Sequence, residues 1–326
     1  MSSFLVTGAA GFIGSALSKR LKMNGHNVVT IDDLSTGYMD NIPKGVEFVK
    51  GDCADEKIYN RLENYSFDAI FHFAGQSSGE ISFDNPSKDL ETNTKSTLLL
   101  IEYALKIKCK RIIYASSMSV YGEHEDRPIN EKDICSPVSF YGVGKLASEN
   151  YLQIYKSYGI VFTSLRLFNV YGPGQNLANL RQGMVSIYSS YVWRKKPIIV
   201  KGSLKRFRNY QYIDDVIDIL SKTILKKNLK KNEIFNLTTG KAVTVNSLIK
   251  KIIKINKKKK YKVIVKKQGT PGDSFGWDAS NKYLRSKFPK IKFTSLDEGL
   301  KKYFQWIDSI PQTKNLLKYH PLKKKI

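Results

Sequence analysis

Three glycines in the pattern Gly8-x-x-Gly11-x-x-Gly14 follow an apolar run at residues 3–7, and they constrain this 326-residue chain more than any other feature. Glycines at this spacing let the backbone turn tightly from a strand into a helix and let a ligand approach the backbone closely. The first amides of the helix then point at an anion such as a pyrophosphate. The pattern predicts a strand–loop–helix unit that binds a dinucleotide, and a tight turn without a ligand is the simpler alternative.

A carboxylate at the end of the next strand favours the dinucleotide interpretation. The β-branched run at residues 27–31 is followed directly by Asp32. A carboxylate at this place accepts hydrogen bonds from both ribose hydroxyls of an adenosine and repels a 2′-phosphate. The sequence therefore predicts NAD, rather than NADP, as the cofactor.

Short apolar runs alternate with helical patterns along the first half of the chain. Strands are predicted at 46–50, 69–73, 111–116 and 160–166, and helices at 12–23, 86–106 and 141–158. Further on, the pattern predicts helices near 214–226 and 245–255 and a strand at 234–237. Alternation of this kind indicates a parallel sheet that is covered on both faces. We therefore expect an α/β fold, with a Rossmann-like doubly wound sheet at 1–172 and a smaller mixed α/β substrate lobe at 173–326, some of whose segments return to the first domain.

Tyr141 and Lys145 are four residues apart in a predicted helix. Residues at this spacing lie on one helix face, so the phenol and the ammonium group can be neighbours. A neighbouring cation is expected to lower the pKa of the phenol from its usual value of about 10, which brings phenolate within reach near neutral pH. A chance pair on a solvated helix face is the alternative.

A cluster of hydroxyl groups ends the predicted strand at 111–116. Ser116, Ser117 and Ser119 stand where open α/β sheets bind their ligands, beyond the carboxyl ends of the strands. These hydroxyls are candidates for contacts to a cofactor or substrate. They could instead satisfy the backbone of the loop that follows the strand.

Together these features, in this order, resemble the extended short-chain dehydrogenases/reductases of the nucleotide-sugar epimerase and dehydratase family. The resemblance extends over nearly the whole chain. It includes the segments Gly51-Asp52, His72-Phe-Ala-Gly75, Asn93-Thr-Lys-Ser-Thr97, Arg166-Leu-Phe-Asn169-Val-Tyr-Gly-Pro173, Arg208-Asn-Tyr-Gln-Tyr-Ile-Asp214-Asp215-Val216 and Pro271-Gly-Asp273.

The resemblance implies roles for individual positions. At the cofactor it implies Gly8, Gly11, Phe12, Ile13 and Gly14 on the pyrophosphate, Asp32 on the adenosine ribose, Asp52 and Cys53 beside the adenine, and Phe73, Ala74, Gly75, Ser77, Asn93, Ser116 and Phe168 along the groove. It implies a catalytic set of Ser117, Tyr141 and Lys145, of which Tyr141 and Lys145 also contact the cofactor. At a nucleotide-diphosphate sugar it implies Ser117, Ser119, Asn169, Arg208, Asp273 and Trp277.

The residues after Ser117 discriminate between reactions within the family. Dehydratases of the family carry an acidic pair or a Glu there, because loss of water needs a general acid, and decarboxylases usually carry a Glu. Met118 and Ser119 occupy these positions here. The pattern resembles the 4-epimerases, which implies reversible oxidation of the sugar C4 hydroxyl by tightly bound NAD+ and hydride return to the opposite face.

Other functions stay open on the sequence alone. They are a nucleotide-sugar 4-dehydrogenase that releases its keto sugar, a 4,6-dehydratase or decarboxylase, and a non-catalytic NAD or nucleotide sensor. The nucleotide base and the sugar are not indicated. Thr270 stands where the family often has an Arg, so one phosphate contact is missing or supplied by a lysine. Trp277 either crowds an N-acetyl group beside the sugar or packs in the core.

The chain is strongly basic, with 54 Lys and Arg against 29 Asp and Glu and a formal net charge of +25. Sixteen lysines fall within residues 222–267. We interpret them as a solvated face without a specific nucleic-acid partner, and contact with an anionic membrane surface is a minor alternative.

Three cysteines without disulfide or metal-ligand spacing, no signal peptide and no spanning-length apolar run together predict a cytoplasmic protein without a metal. The resemblance further implies a homodimer that is formed through the helices at 86–106 and 141–158.

Overall fold

The structure is a computed structural model, and it describes residues 1–124, 127–224, 232–257 and 261–310. The strands are β1 Ser3–Thr7, β2 Asn27–Asp32, β3 Glu47–Lys50, β4 Ala69–His72, β5 Arg111–Ser117, β6 Val161–Leu167, β7 Asn169–Tyr171, β8 Ile198–Lys201, β9 Phe207–Tyr212, β10 Glu233–Leu237, β11 Ala242–Thr244 and β12 Val263–Lys266. The helices are α1 Phe12–Met23, α2 Lys57–Asn60, α3 Gly79–Ser82, α4 Pro86–Leu90, α5 Ser96–Lys106, α6 Phe140–Tyr155, α7 Met184–Trp193, α8 Ile213–Thr223, α9 Val245–Ile255, α10 Lys282–Lys287 and α11 Leu296–Ser309.

Seven strands form one parallel sheet in the order β10-β6-β5-β4-β1-β2-β3. The inner strands are buried along nearly their whole length, which explains why the sequence shows continuous apolar runs and not alternation. The chain moves outward from β1 to β3 and then crosses back to β4. The order therefore reverses beside β1, and a crevice opens there at the carboxyl ends of the strands. The predicted Rossmann-like fold is confirmed.

Two apolar cores cover the two faces of the sheet. On one face, Leu17 and Leu21 of α1 pack with residues of α8, α9 and α11. On the other face, Leu100 and Ile101 of α5 pack with Leu152 of α6. Helices therefore cover both faces of the sheet, and the edge at the carboxyl ends of the strands is where a ligand can bind.

The helix predicted at 86–106 is interrupted by a change of winding. Asn85 caps its start by accepting a hydrogen bond from the Lys88 amide at 3.0 Å. A π-helical turn at Glu91–Lys95 separates α4 from α5. π-Helical turns inside α-helices occur frequently at functional sites, and this one carries the buried side chain of Asn93.

The second half of the chain adds smaller sheets and returns to the first. Strands β11, β9 and β7 form a three-stranded sheet, and β12 pairs with β8. Strand β10 joins the edge of the main sheet next to β6, so this later segment belongs to the first layer. The helix predicted at 214–226 is α8. Its last two predicted residues lie outside the described part of the chain. So do several of the lysines within 222–267, and Lys323, Lys324 and Lys325.

Within the residues that the structure describes, no helix is both long enough and apolar enough to cross a membrane.

Candidate active site

The glycine loop packs against two neighbouring strands. Gly8 has φ +65°, and a Cβ added there would lie 2.6 Å from the Ala74 nitrogen, which follows β4. A Cβ on Gly14 would collide with the Gly8 carbonyl oxygen. A side chain at either position would fill the narrow space between β1, α1 and β4. The loop therefore keeps bare backbone at the point where the strand order reverses.

The start of α1 offers backbone amides to an anion. Gly11 is its N-cap and provides no side-chain hydrogen bond, and the first turn carries no acidic residue. The amides of the first turn, which include those of Phe12 and Ile13, lack partners within the helix. Together with the helix dipole, these amides fit the pyrophosphate of a dinucleotide.

Asp32 lies at the end of β2 and faces this loop. Its side chain accepts hydrogen bonds from the amides of Ala10 at 2.9 Å and Leu34 at 2.8 Å. Burial raises the pKa of this carboxyl above its usual value, and the two amide hydrogen bonds oppose the rise. Each carboxylate oxygen accepts more than one hydrogen bond, so both keep capacity for a ribose hydroxyl.

We expect the protein to bind NAD+ at least roughly tenfold more tightly than NADP+, because a 2′-phosphate would stand against this buried carboxylate. Calorimetric titration with the two cofactors measures the difference. Asp32→Ala should reduce this difference in affinity. Asp33→Ala is the matched control, since the Asp33 carboxylate accepts hydrogen bonds from the amide and hydroxyl of Ser35. Equal or tighter binding of NADP+ by the unaltered protein would contradict the role of Asp32.

The wall of the groove after β4 is ordered by side chains from two elements. The amides of Phe73 and Ala74 donate to Oγ1 of Thr7 at 3.2 and 3.1 Å. Gly75 has φ +141°, and a side chain there would meet the amide group of Asn93. Asn93 in turn donates to the Gln76 carbonyl at 3.0 Å.

The remaining predicted cofactor residues are distributed around the same edge. Asp52 accepts a hydrogen bond from the Ala54 amide at 2.9 Å. The Cys53 thiol is buried in the core. Ser77 is exposed and accepts a hydrogen bond from Gln182 at 2.7 Å, and the Ser116 hydroxyl is buried without a partner. Phe168 is buried in a third apolar cluster.

The three predicted catalytic residues come from two elements that meet closely. Ser117 ends β5, while Tyr141 and Lys145 lie in the first two turns of α6. Ser139 caps this helix by accepting a hydrogen bond from the Gly142 amide at 3.1 Å. A Cβ on Gly142 would lie 2.5 Å from the Ser119 carbonyl oxygen, so glycine is needed for the close approach of the helix to the loop after β5.

The structure brings Ser117, Tyr141 and Lys145 together. Ser117 lies near enough to the Tyr141 hydroxyl to lower the pKa of that phenol, against the effect of burial. The ammonium nitrogen of Lys145 lies 5.7 Å from the centroid of the Tyr141 ring and 5.0 Å from that of the Tyr114 ring. All three members of the set are buried.

The expectation of a lowered phenol pKa is wrong for this structure. Burial raises the pKa of Tyr141 to about 12, and the nearby Ser117 opposes only part of the rise. Burial also lowers the pKa of Lys145 to about 8. Spacing along the helix placed the two groups correctly but carried no information on how far burial would penalise their charges.

Asp89 is a buried residue of this site that the sequence patterns did not single out. Its carboxylate accepts hydrogen bonds from Gln76 at 2.8 Å and Asn93 at 3.3 Å, and its second oxygen is buried without a partner. Its charge raises the pKa of Lys145 and so opposes the effect of burial. Its position four residues before Asn93, on the same helical face, was the available signal.

The other predicted substrate residues come from β7, β9 and the loop between β12 and α10. Asn169 donates to the Asn209 carbonyl at 3.4 Å and approaches the Met118 sulfur at 3.6 Å. Trp277 is buried and donates its indole N–H to the Gly122 carbonyl at 2.8 Å. This arrangement agrees with the interpretation that Trp277 packs in the core. That Trp277 would crowd an N-acetyl group of the sugar stays a prediction.

Arg208 joins these residues into one cluster. Its guanidinium carbon lies 4.5 Å from the centroid of the Trp277 ring, and its terminal nitrogens pair with Asp273 and with backbone carbonyls. The structure therefore brings Trp277, Arg208 and Asp273 together.

The parallel sheet, the glycine loop and the buried group of Ser117, Tyr141 and Lys145 are typical of an α/β dinucleotide-binding enzyme. The sequence model of the NAD dependent epimerase/dehydratase family matches residues 4–238. A UDP-glucose 4-epimerase of Mycolicibacterium smegmatis is 37% identical over 66% of this chain and 70% of its own. UDP-glucuronate 4-epimerase 1 of Arabidopsis thaliana is 30% identical over 93% of this chain and 76% of its own.

Solved structures agree with this likeness. The crystal structure of a UDP-glucose 4-epimerase from Thermotoga maritima, determined with UDP-glucose, has a TM-score of 0.89 and 32% identity, over 94% of this chain and 98% of that one. The chain belongs to the NAD dependent epimerase/dehydratase family. Membership confirms the resemblance found in the sequence and the expectation that the cofactor is NAD.

Proposed function

We propose that the protein is an NAD-dependent UDP-sugar 4-epimerase. The observation that carries the proposal is the buried Ser117–Tyr141–Lys145 set at the carboxyl end of β5, followed by Met118 and Ser119 where a dehydratase needs an acid. The UDP-sugar 4-epimerases among its relatives support the reaction and the uridine base.

NAD+ supplies a hydride acceptor for carbon 4 of the sugar when it is bound. Tyr141 takes the proton from the 4-hydroxyl and returns it at the end of the cycle. Ser117 hydrogen-bonds the same oxygen and keeps it within reach of the phenol. The charge of Lys145 favours the phenolate, which burial otherwise disfavours.

Hydrogen bonds and an ion pair made by the segment at 176–182 support retention of NAD through the cycle. Asn176 donates to the Tyr38 hydroxyl at 2.9 Å, and Gln182 donates to the Ser77 carbonyl at 2.8 Å. Arg181 pairs with Glu80 at 3.2 Å. These contacts connect the segment to the loop after β2 and to residues after β4, and we propose that they hinder release of the cofactor.

The proposal is tested by adding UDP-glucose, UDP-galactose, UDP-glucuronate and UDP-N-acetylglucosamine separately to the purified protein with NAD+. Absorbance at about 340 nm reports NADH, and NMR identifies the sugar. An epimerase converts one sugar catalytically into its 4-epimer, with a protein-bound NADH signal below stoichiometry. Free NADH that accumulates with the keto sugar would instead identify a 4-dehydrogenase, and no change with any sugar would favour a sensor.

We also propose that the protein is a homodimer. Apolar side chains are exposed along the helices that the resemblance assigns to a dimer, including Leu90 on α4 and Val143 and Ile154 on α6. Val143 and Ile154 are eleven residues apart and so lie on one face of α6. Light scattering after size exclusion should give the mass of two chains, and the mass of one chain would contradict the proposal.

A further inference from the structure

The two-stranded sheet of β8 and β12 has one face against the core and one face in solvent. Ile198 and Val200 of β8 are buried in the apolar core that also contains α1 and α9, and Val263 of β12 packs against it. Side chains alternate between the two faces along a strand, so the residues between these three point outward. The outward face, which we call the outer β8–β12 face, consists of Ile199, Lys201, Lys262, Ile264 and Lys266.

The register of the two strands places apolar side chains side by side in the middle of the outer β8–β12 face. Ile199 pairs with Ile264, and Lys201 pairs with Lys266. Ile264 is 38% exposed, and Ile199 is half-buried. Lys262 and Lys266 stand two residues to either side of Ile264. The face therefore carries two isoleucines at its centre and three lysines around them.

The chain on both sides of this face is basic. Residues 194–213 contain seven lysines and arginines, residues 241–267 contain eleven, and neither range contains an Asp or a Glu. Lys201 pairs with Glu80 at 2.9 Å, whereas no carboxylate in the described part of the chain pairs with Lys262 or Lys266. A surface of this composition produces a positive potential that attracts an extended anionic surface.

The residue types on the face favour a membrane over a nucleic acid. Surfaces that bind nucleic acids present aromatic rings to bases, or arginines to base edges and phosphates. The outer β8–β12 face has lysines and isoleucines instead, and an exposed isoleucine gains nothing from a phosphate backbone. The interface of an anionic bilayer attracts lysines and also takes up apolar side chains. The aliphatic stems of the lysines can lie beside the isoleucines there while their ammonium groups reach the headgroups.

We propose that the outer β8–β12 face binds reversibly to an anionic membrane surface. Its lysines contact lipid phosphates, and Ile264 and Ile199 enter the boundary between headgroups and acyl chains. The structure thus supports the membrane alternative for the clustered lysines, because it adds an apolar centre to the charge. The proposal does not depend on which sugar the protein converts.

The test measures flotation of the full chain with vesicles of phosphatidylcholine alone and of phosphatidylcholine with about a third phosphatidylglycerol. The protein should float with the anionic vesicles only, and less of it should float as salt is raised. Lys262→Gln combined with Lys266→Gln should weaken this binding roughly tenfold or more. The matched control is Lys108→Gln combined with Lys110→Gln, which removes the same charge from two exposed lysines that precede β5 and should change the binding less than about twofold.

Ile264→Ser tests the apolar part of the face and should weaken vesicle binding roughly fivefold while binding of duplex DNA stays unchanged. Val265→Ser is its control, since Val265 is exposed on the same strand but points to the other face. Unchanged NAD+ binding and thermal unfolding report an intact fold in each variant.

Three results would overturn the proposal. Absence of vesicle binding would leave the lysines the role of keeping an edge strand from pairing with another chain. An equal loss in the Lys108 and Lys110 control would mean that net charge alone, and not this face, causes binding. Vesicle binding that ignores Ile264→Ser, or duplex DNA that binds more tightly than the vesicles, would identify a general polyanion surface instead.

Discussion

Tyr141→Phe should lower turnover by a factor of roughly 10²–10⁴ while NAD+ binding and the fold stay nearly unchanged. The phenol hydroxyl is the group that reaches Ser117 from α6, and the substitution removes the proton acceptor without removing the ring that packs in the site. Single-turnover and steady-state assays with the interconverted UDP-sugar measure the loss, and thermal unfolding measures the stability.

Tyr158→Phe is the matched control, because Tyr158 follows the same helix but is 66% exposed. It should leave the rate unchanged. If Tyr141→Phe kept more than about a tenth of the turnover, the acid/base role would belong elsewhere, and the hydroxyl cluster at Ser117 and Ser119 with a bound water would be the next candidate.

Lys145→Met should lower turnover by roughly 10²-fold and should also weaken NAD+ binding, which Tyr141→Phe does not do. The ammonium group lies beside the Tyr141 ring in a buried environment, so the substitution removes a positive charge close to the phenol. Lys156→Met is the control, since this exposed lysine follows α6 and does not reach the site.

The pH dependence separates the two variants. Without Lys145, the phenolate fraction should rise about tenfold per pH unit up to the pKa of Tyr141, so alkaline pH should partly restore the rate of Lys145→Met. In the unaltered protein the rise should be shallower, because Lys145 has a pKa of about 8 and loses its charge over the same range. Tyr141→Phe should show no recovery, and recovery in that variant would argue against the phenol as the base.

Most of the fold was predictable because its signals are local. Strand β1 and helix α1 lie where the apolar run, the glycines and the helical pattern placed them, and Gly159 takes the left-handed conformation expected of a helix end. The parallel sheet followed from the alternation of strands and helices. The π-helical turn at Glu91–Lys95 has no comparable local signal, since it depends on how α6 packs against it.

The site was predictable in its members but not in its electrostatics. Ser117, Tyr141 and Lys145 meet because strand ends and helical spacing fix their positions. The pKa of Tyr141 depends on burial by the surrounding chain, and the involvement of Asp89 depends on a tertiary contact between two helices. The hydrogen bonds of Arg208 likewise depend on the carbonyls that the segment at 273–275 presents.

The most direct test of the central claim follows deuterium at carbon 4 of a UDP-sugar substrate through many turnovers. The account predicts that the 4-epimer forms with the deuterium still on carbon 4, without exchange with solvent, because the hydride leaves and returns within one binding event. Loss of the label from the sugar into free reduced cofactor, or formation of the epimer with solvent hydrogen at carbon 4, would contradict a 4-epimerase that retains its NAD.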